Sequence, residues 1–197
     1  MYIHGTTYLS AYMRPAVLVT CPRCSAQAKA YNGKLTCTQC GLAQTSKDKP
    51  WPGNVRIASV RPDYQFACGR CGGLQPPPPI RPAPPAVPRD IDLTCQGCKA
   101  VTTHPCDVHA MWHANDATDC WFNLPLALTA TVRGHQLWAL NGGHLAIIKH
   151  FIAAKDRKAA MQDSHATMLR RLPDWMIGEK MRDDVLRAMR QLEQKIE

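Results

Sequence analysis

The sequence predicts a small metal-stapled α+β fold: two β-hairpin modules with C-x2-C knuckles, then a third β-hairpin and two C-terminal helices. Three observations predict it. Eight of the ten cysteines stand in four C-x2-C pairs, aromatic residues make up only 7% of the 197 residues, and apolar alternation gives way to helical steps after Asn141. Modules with few aromatics bury little surface and lean on metals or disulfides for stability.

The compartment decides between those two staples. The opening MYIHGTTYLSAYMRP lacks the basic start and apolar core of a secretory signal. The longest largely apolar stretch, LPLALTATV, is far shorter than the roughly 20 residues that cross a bilayer. A cytoplasmic protein with no membrane segment is expected. There thiols stay reduced, and paired cysteines bind metal more often than each other.

The first four cysteines, Cys21, Cys24, Cys37 and Cys40, follow the pattern C-x2-C-x12-C-x2-C. Between the pairs lies AKAYNGKLT, and Asn-Gly between two strand-like runs is the strongest short hairpin signal. The hairpin brings the pairs together, so four sulfurs can surround one Zn²⁺ tetrahedrally.

Cys68, Cys71, Cys95 and Cys98 repeat the knuckles with a longer gap, C-x2-C-x23-C-x2-C. Most of the excess is QPPPPIRPAPPAVP, residues 75–88, in which eight of fourteen residues are proline. Polyproline II rises about 3.1 Å per residue, so a straight run would span about 43 Å. Either the run bends back as an exposed finger inside a second zinc site, or the pairs bind different metals. Sequential pairing of the sites competes with a cross-brace joining 21/24 to 68/71 and 37/40 to 95/98. The Asn-Gly hairpin favours sequential, because it already delivers the first four ligands. The prolines match no clean register with Arg81 or Arg89 for an SH3 or WW ligand.

A third, mixed site is conceivable further on. Cys106, His109 and His113 have the i, i+3, i+7 spacing of one helix face, and Cys120 could complete the set. A buried free cysteine with surface histidines is the alternative. Two Zn²⁺ are expected, and this third would be additional.

CPRC and CTQCG around a short hairpin resemble a zinc ribbon of the transcription-factor-IIB type, over about 30 residues. That resemblance implies a fold shared by nucleic-acid binders, polymerase contacts and plain scaffolds. The expected organisation is an extension (1–16), ribbon 1 (17–45), ribbon 2 with its proline loop (46–103) and a hairpin plus helical region (104–197).

In that last region Phe122, Leu124, Leu126, Leu128, Ala130 and Val132 alternate as a strand with one buried face. Arg133-Gly134 makes the turn and HQLWAL returns. Asn141 can cap a helix carrying Leu145, Ile148, Ile152 and Lys155 at helical steps. A final helix follows LPDWMIG, its stripe formed by Val185, Met189, Leu192 and Ile196 and backed by Arg182, Arg187, Arg190 and Lys195. The stripe can dock on the hairpin, or residues 179–196 can meet a protein partner or a second copy.

Residues 121–197 resemble the C-terminal region of small bacterial zinc-ribbon proteins of uncharacterised role. The resemblance rests on Leu137, Trp138, Asn141, His144, Leu145, Arg157, Leu172, Pro173, Trp175, Met176, Arg182, Val185 and Leu186. It implies an architecture and no activity. It also implies a Cys-Cys-Gly before the Leu-Trp strand, where this chain has Thr131-Val132-Arg133-Gly134 and so lacks that metal ligand.

The net charge of +9 is unevenly placed. Residues 1–89 carry eleven Lys/Arg against two Asp, 90–143 two against five, and 144–197 eleven against eight. A basic half attracts phosphate backbones, with Arg23, Lys29, Lys34, Arg56, Arg61 and Arg70 as candidate contacts. Trp51, Tyr64 and Phe66 could stack on bases, or cap the small cores. The blander account is that Arg23, Lys29, Lys34, Arg70 and Lys99 offset the charge of zinc tetrathiolates. No catalytic constellation stands out, and closed four-cysteine sites point to structural zinc. The expected function is a non-enzymatic nucleic-acid-binding accessory or regulatory factor. The alternatives are an interaction or scaffold module of a larger bacterial assembly, and redox chemistry at the C-x2-C pairs.

Overall fold

The computed structural model describes residues 2–4, 9–48, 51–60, 65–113, 116–157 and 165–196. The chain forms two compact units, residues 1–5 with 47–113 and residues 6–46 with 114–197. Arg61 and Tyr64 lie outside the described residues, as do 158–164, which take in the end of the stretch expected to continue the first helix.

In chain order the first unit opens with β1 (Tyr2–His4). The second unit then supplies a 3-10 turn (Ser10–Met13) and four antiparallel strands: β2 (Val17–Thr20), β3 (Gln27–Tyr31), β4 (Lys34–Thr36) and β5 (Ala43–Thr45). The β3–β4 turn is Asn32-Gly33, with φ of 47° and 72°, the left-handed pair that a two-residue hairpin requires. Alternation puts Val17, Val19, Ala28, Ala30 and Leu35 on the buried face.

The chain next returns to the first unit with β6 (Asn54–Ser59), β7 (Phe66–Ala67), β8 (Leu74–Gln75), β9 (Arg81–Pro82), β10 (Asp90–Thr94) and the long β11 (Val101–Met111). The strand order is β1-β11-β6-β9, with β10 beside the first half of β11. The core is small: Trp51, Val55, Ile57, Phe66, Val108, Ala110 and Trp112 are buried. The proline run does fold back and is mostly exposed. It does not stand free as a finger, because Arg81 and Pro82 pair with Val55 and Asn54 at the sheet edge. An edge position is where proline, lacking an N–H, is tolerated.

The rest of the second unit is β12 (Leu128–Val132), β13 (His135–Ala139), α1 (Gly142–Ala153), α2 (Ala166–Leu169), α3 (Asp174–Ile177) and α4 (Arg182–Glu193). The single strand expected from Phe122 begins only at Leu128. Before it, the fully buried Asp119 carboxylate accepts the N–H groups of Trp121, Phe122 and Leu124, all at 2.8 Å, and curls the chain into a turn. Arg133-Gly134 forms the hairpin turn as expected, with φ of 46° and 86°.

The N-terminal strands share this unit through backbone bonds. Leu18 N–H donates to Leu140 O (2.7 Å), Ala127 N–H to Leu18 O (2.9 Å) and Thr20 N–H to Pro125 O (2.8 Å). Helix α1 ends at Ala153, so Lys155 lies beyond it. Helix α4 docks on β12 and α1, burying Val185, Met189 and Leu192, while Ile196 falls past its end and is 37% exposed. Of the backing charges, Arg182 and Lys195 reach backbone carbonyls. The Arg182 guanidinium donates to Ala153 O (2.6 Å) and Ala154 O (3.2 Å) at the open C-terminus of α1. Lys149 pairs with Glu193 at 2.6 Å.

Candidate metal centres

Each centre is built from two knuckles, and each knuckle joins two strands. At the first, Cys21 N–H donates to Ala26 O and Cys37 N–H to Leu42 O. At the second, Cys68 N–H donates to Gly73 O and Cys95 N–H to Ala100 O. Closing such a loop puts the fourth residue after the leading cysteine in the left-handed region. Gly41 (67°) and Gly72 (72°) take it readily, whereas Ser25 (60°) and Lys99 (62°) adopt it with a side chain. Ser25→Gly and Lys99→Gly are therefore each expected to stabilise the metal-loaded protein by about 1 kcal/mol. The denaturation midpoint measures this, and an unchanged or lower midpoint would count against the knuckle geometry.

The eight paired cysteines come together in two sets: Cys21, Cys24, Cys37 and Cys40, and Cys68, Cys71, Cys95 and Cys98. Within each set all sulfurs lie within 4.8 Å of one another. Cys21 to Cys40, Cys24 to Cys37, Cys68 to Cys98 and Cys71 to Cys95 are each 3.7 Å apart, Sγ to Sγ. A disulfide would need about 2.05 Å. A metal with bonds of about 2.3 Å in a tetrahedron puts its sulfurs about 3.8 Å apart. Each set can thus hold one metal ion, and the pairing is sequential.

Backbone N–H groups prepare the sulfurs for negative charge. Cys71 and Arg70 N–H bring the Cys68 thiol down to about 6, and Cys98 N–H lowers Cys95. At Cys21 burial opposes ionisation, but hydrogen bonds from the Arg23 and Cys24 N–H groups and from the Cys24 and Cys37 thiols together outweigh it and the thiol falls to about 6. The last thiols resist. Cys24 receives the Ala26 N–H, yet burial and the other three thiols push it up to about 12. Cys98 receives the Ala100 N–H, yet burial and neighbouring thiols carry it up to about 11. Four like charges need a cation to coexist.

Gln75 was not singled out by the sequence. Its buried amide donates to Cys95 Sγ (3.3 Å), and its carbonyl accepts Gln96 N–H (3.0 Å), tying the β7–β8 hairpin to the other knuckle. Its place at the start of a proline run conceals that role.

No third centre forms among the described residues. Residues 101–111 are a strand and not a helix, so Cys106 shares the buried face of His104, Val108 and Ala110 while His109 points to the other face. His113 is exposed beyond the strand end. Cys120 belongs to the other unit and donates to Met13 Sδ at 3.7 Å. Burial pushes the Cys120 thiol up to about 12 and raises Cys106, as befits inert core thiols.

Of the basic candidates, Arg23, Lys29, Lys34 and Arg70 are exposed, and Arg56 is half-buried opposite His109 on β11. Trp51 and Phe66 are buried core residues, at 5% and 1% exposure, so they are not available for stacking. The aromatic that does reach a basic face is Tyr31. It shares the outer face of the β2–β5 sheet with Lys29 and stands directly opposite Lys34. Strand parity, Lys29 and Tyr31 two apart, was the signal.

Among the described residues no helix is long and apolar enough to cross a membrane. No family model, curated protein or solved structure matches the chain.

Proposed function

We propose that the chain is a non-enzymatic protein of the zinc-ribbon kind that holds two structural Zn²⁺ ions and binds nucleic acid through its first ribbon. The sulfur tetrahedra support the metal part: four soft thiolates at this spacing suit Zn²⁺. All four positions of each set are protein ligands, leaving no place for an activated water. The face carrying Lys29, Tyr31 and Lys34 supports the second part. Two cations flank an aromatic ring on an open sheet, the arrangement that tracks a phosphate backbone and stacks a base. Arg23 adds charge in the adjoining knuckle.

Anisotropy of a labelled thymidine 20-mer against the zinc-loaded protein tests this. Binding at low salt should weaken steeply as salt rises. Lys29→Ala with Lys34→Ala removes two phosphate contacts and should flatten the salt slope by about 1.4, and Tyr31→Ala should weaken binding about tenfold. Absence of binding at low salt would remove the nucleic-acid reading. The interaction-module reading would then stand in its place, supported by Leu74, Ile80, Val87 and Val101, which are 62%, 53%, 58% and 64% exposed on the first unit.

A further inference from the structure

Within the second unit a cleft of about 480 Å³, counting the part open to solvent, is walled by Leu9, Trp138, Ile148, Met168, Leu172 and Met176. Gln136 and Arg171 also line it, and both are exposed. His144 forms part of the wall and is only 2% exposed.

The protonation of His144 follows from its partners. Leu140 N–H can only donate, and it donates to His144 Nδ1 at 3.1 Å, so Nδ1 carries a lone pair. Burial lowers this imidazole to about 4, so the ring is neutral and its one proton sits on Nε2. That Nε2–H is buried and meets no acceptor among the described residues. The Tyr12 and Trp138 rings lie 5.3 and 5.8 Å from the imidazole, centroid to centroid, and offer no oxygen in place of one. Tyr12 Oη is instead engaged with His165 Nδ1 at 2.7 Å. An orphaned donor on a side chain that lines an apolar cleft asks for a ligand oxygen.

We propose that this cleft binds a small carboxylic acid with an apolar body. The hydrocarbon lies against the Trp138, Ile148 and Met176 walls, a carboxylate oxygen accepts the His144 Nε2–H, and Arg171 supplies the opposite charge at the rim. This site is independent of the nucleic-acid reading, since it uses neither the metal centres nor the Lys29 face.

The test is calorimetric titration of the full zinc-loaded chain with octanoate, 1-octanol and octylamine, together with ¹⁵N spectra of the His144 ring. Octanoate is expected to bind at least about tenfold more tightly than octanol and to shift the Nε2 resonance, with octylamine not binding. His144→Asn keeps an acceptor for Leu140 N–H but has no group at Nε2, and it should remove most of the preference for the acid. Arg171→Gln, a surface change, should weaken octanoate severalfold and leave octanol unaffected. Equal binding of acid and alcohol, no octanoate binding at millimolar concentration, or an Arg171→Gln protein that binds octanoate as well as the parent would each overturn the proposal.

Discussion

Cys37→Ser is expected to remove one equivalent of zinc and to unfold far more than a 30-residue knuckle module. Metal binding and folding are coupled in small thiolate sites, where the ion supplies roughly 10–16 kcal/mol, as much as a whole domain's net stability. The first centre holds the β2–β3 and β4–β5 corners together, and Cys37 is buried there at 3% exposure. Strand β2 is also bonded to Pro125, Ala127 and Leu140, and the loss should therefore spread through β12, β13 and α1. Hydrogen exchange should show those amides deprotected in Cys37→Ser while β10 and β11 of the other unit keep their protection. The reciprocal change, Cys95→Ser, should spare α1 and deprotect β10. A Cys37→Ser protein with full zinc content and an unchanged melt would contradict the assignment of the site.

The second large effect is expected at Asn141, which is 4% exposed and is both a cap and a clasp. Its carbonyl accepts His144 N–H (2.9 Å) and closes the start of α1. Its amide donates to Tyr12 O (2.7 Å) and Ala16 O (2.9 Å), with Arg14 O at 3.3 Å, and so holds the segment leading into β2 against the helix. Asn141→Ala loses a cap worth about 1 kcal/mol and leaves two buried carbonyls without donors at about 1–3 kcal/mol each. The sum is about 3–7 kcal/mol, or a Tm lower by roughly 10–20 °C at this chain length. Asn141→Asp separates the two roles. It retains the acceptor for His144 N–H but turns an oxygen toward three carbonyls, so it should be at least as destabilising as alanine. If Asp proved neutral, only the cap would matter.

Much of the metal framework was legible in the residues, because ligand spacing and Asn32-Gly33 act locally. Two knuckles and one two-residue turn suffice to place the first set, and sequential pairing of the second follows from it. The rest was hidden where long-range contacts decide. Cys106, His109 and His113 suit a helix face by spacing, yet pairing with β6 and β10 makes their segment a strand, and parity then separates them. Phe122 to Leu126 alternate like a strand, yet the buried Asp119 carboxylate bends them into a turn, and a lone Asp gives no such signal in sequence. The proline loop was expected to fold back, but the pairing of Arg81–Pro82 with β6 is a tertiary contact with no local mark. Likewise, the bond of Arg182 to the end of α1 depends on how α4 docks.

Two separate four-thiolate centres should each hold one zinc ion. Native mass spectrometry with elemental analysis, on protein purified without added metal, tests it most directly. Two zinc ions per chain with all ten cysteines reduced are expected, and one zinc each for Cys37→Ser and Cys95→Ser. Iron in place of zinc, a parent mass lighter by about 2 Da per disulfide with no metal, or loss of both ions from a single substitution would contradict it.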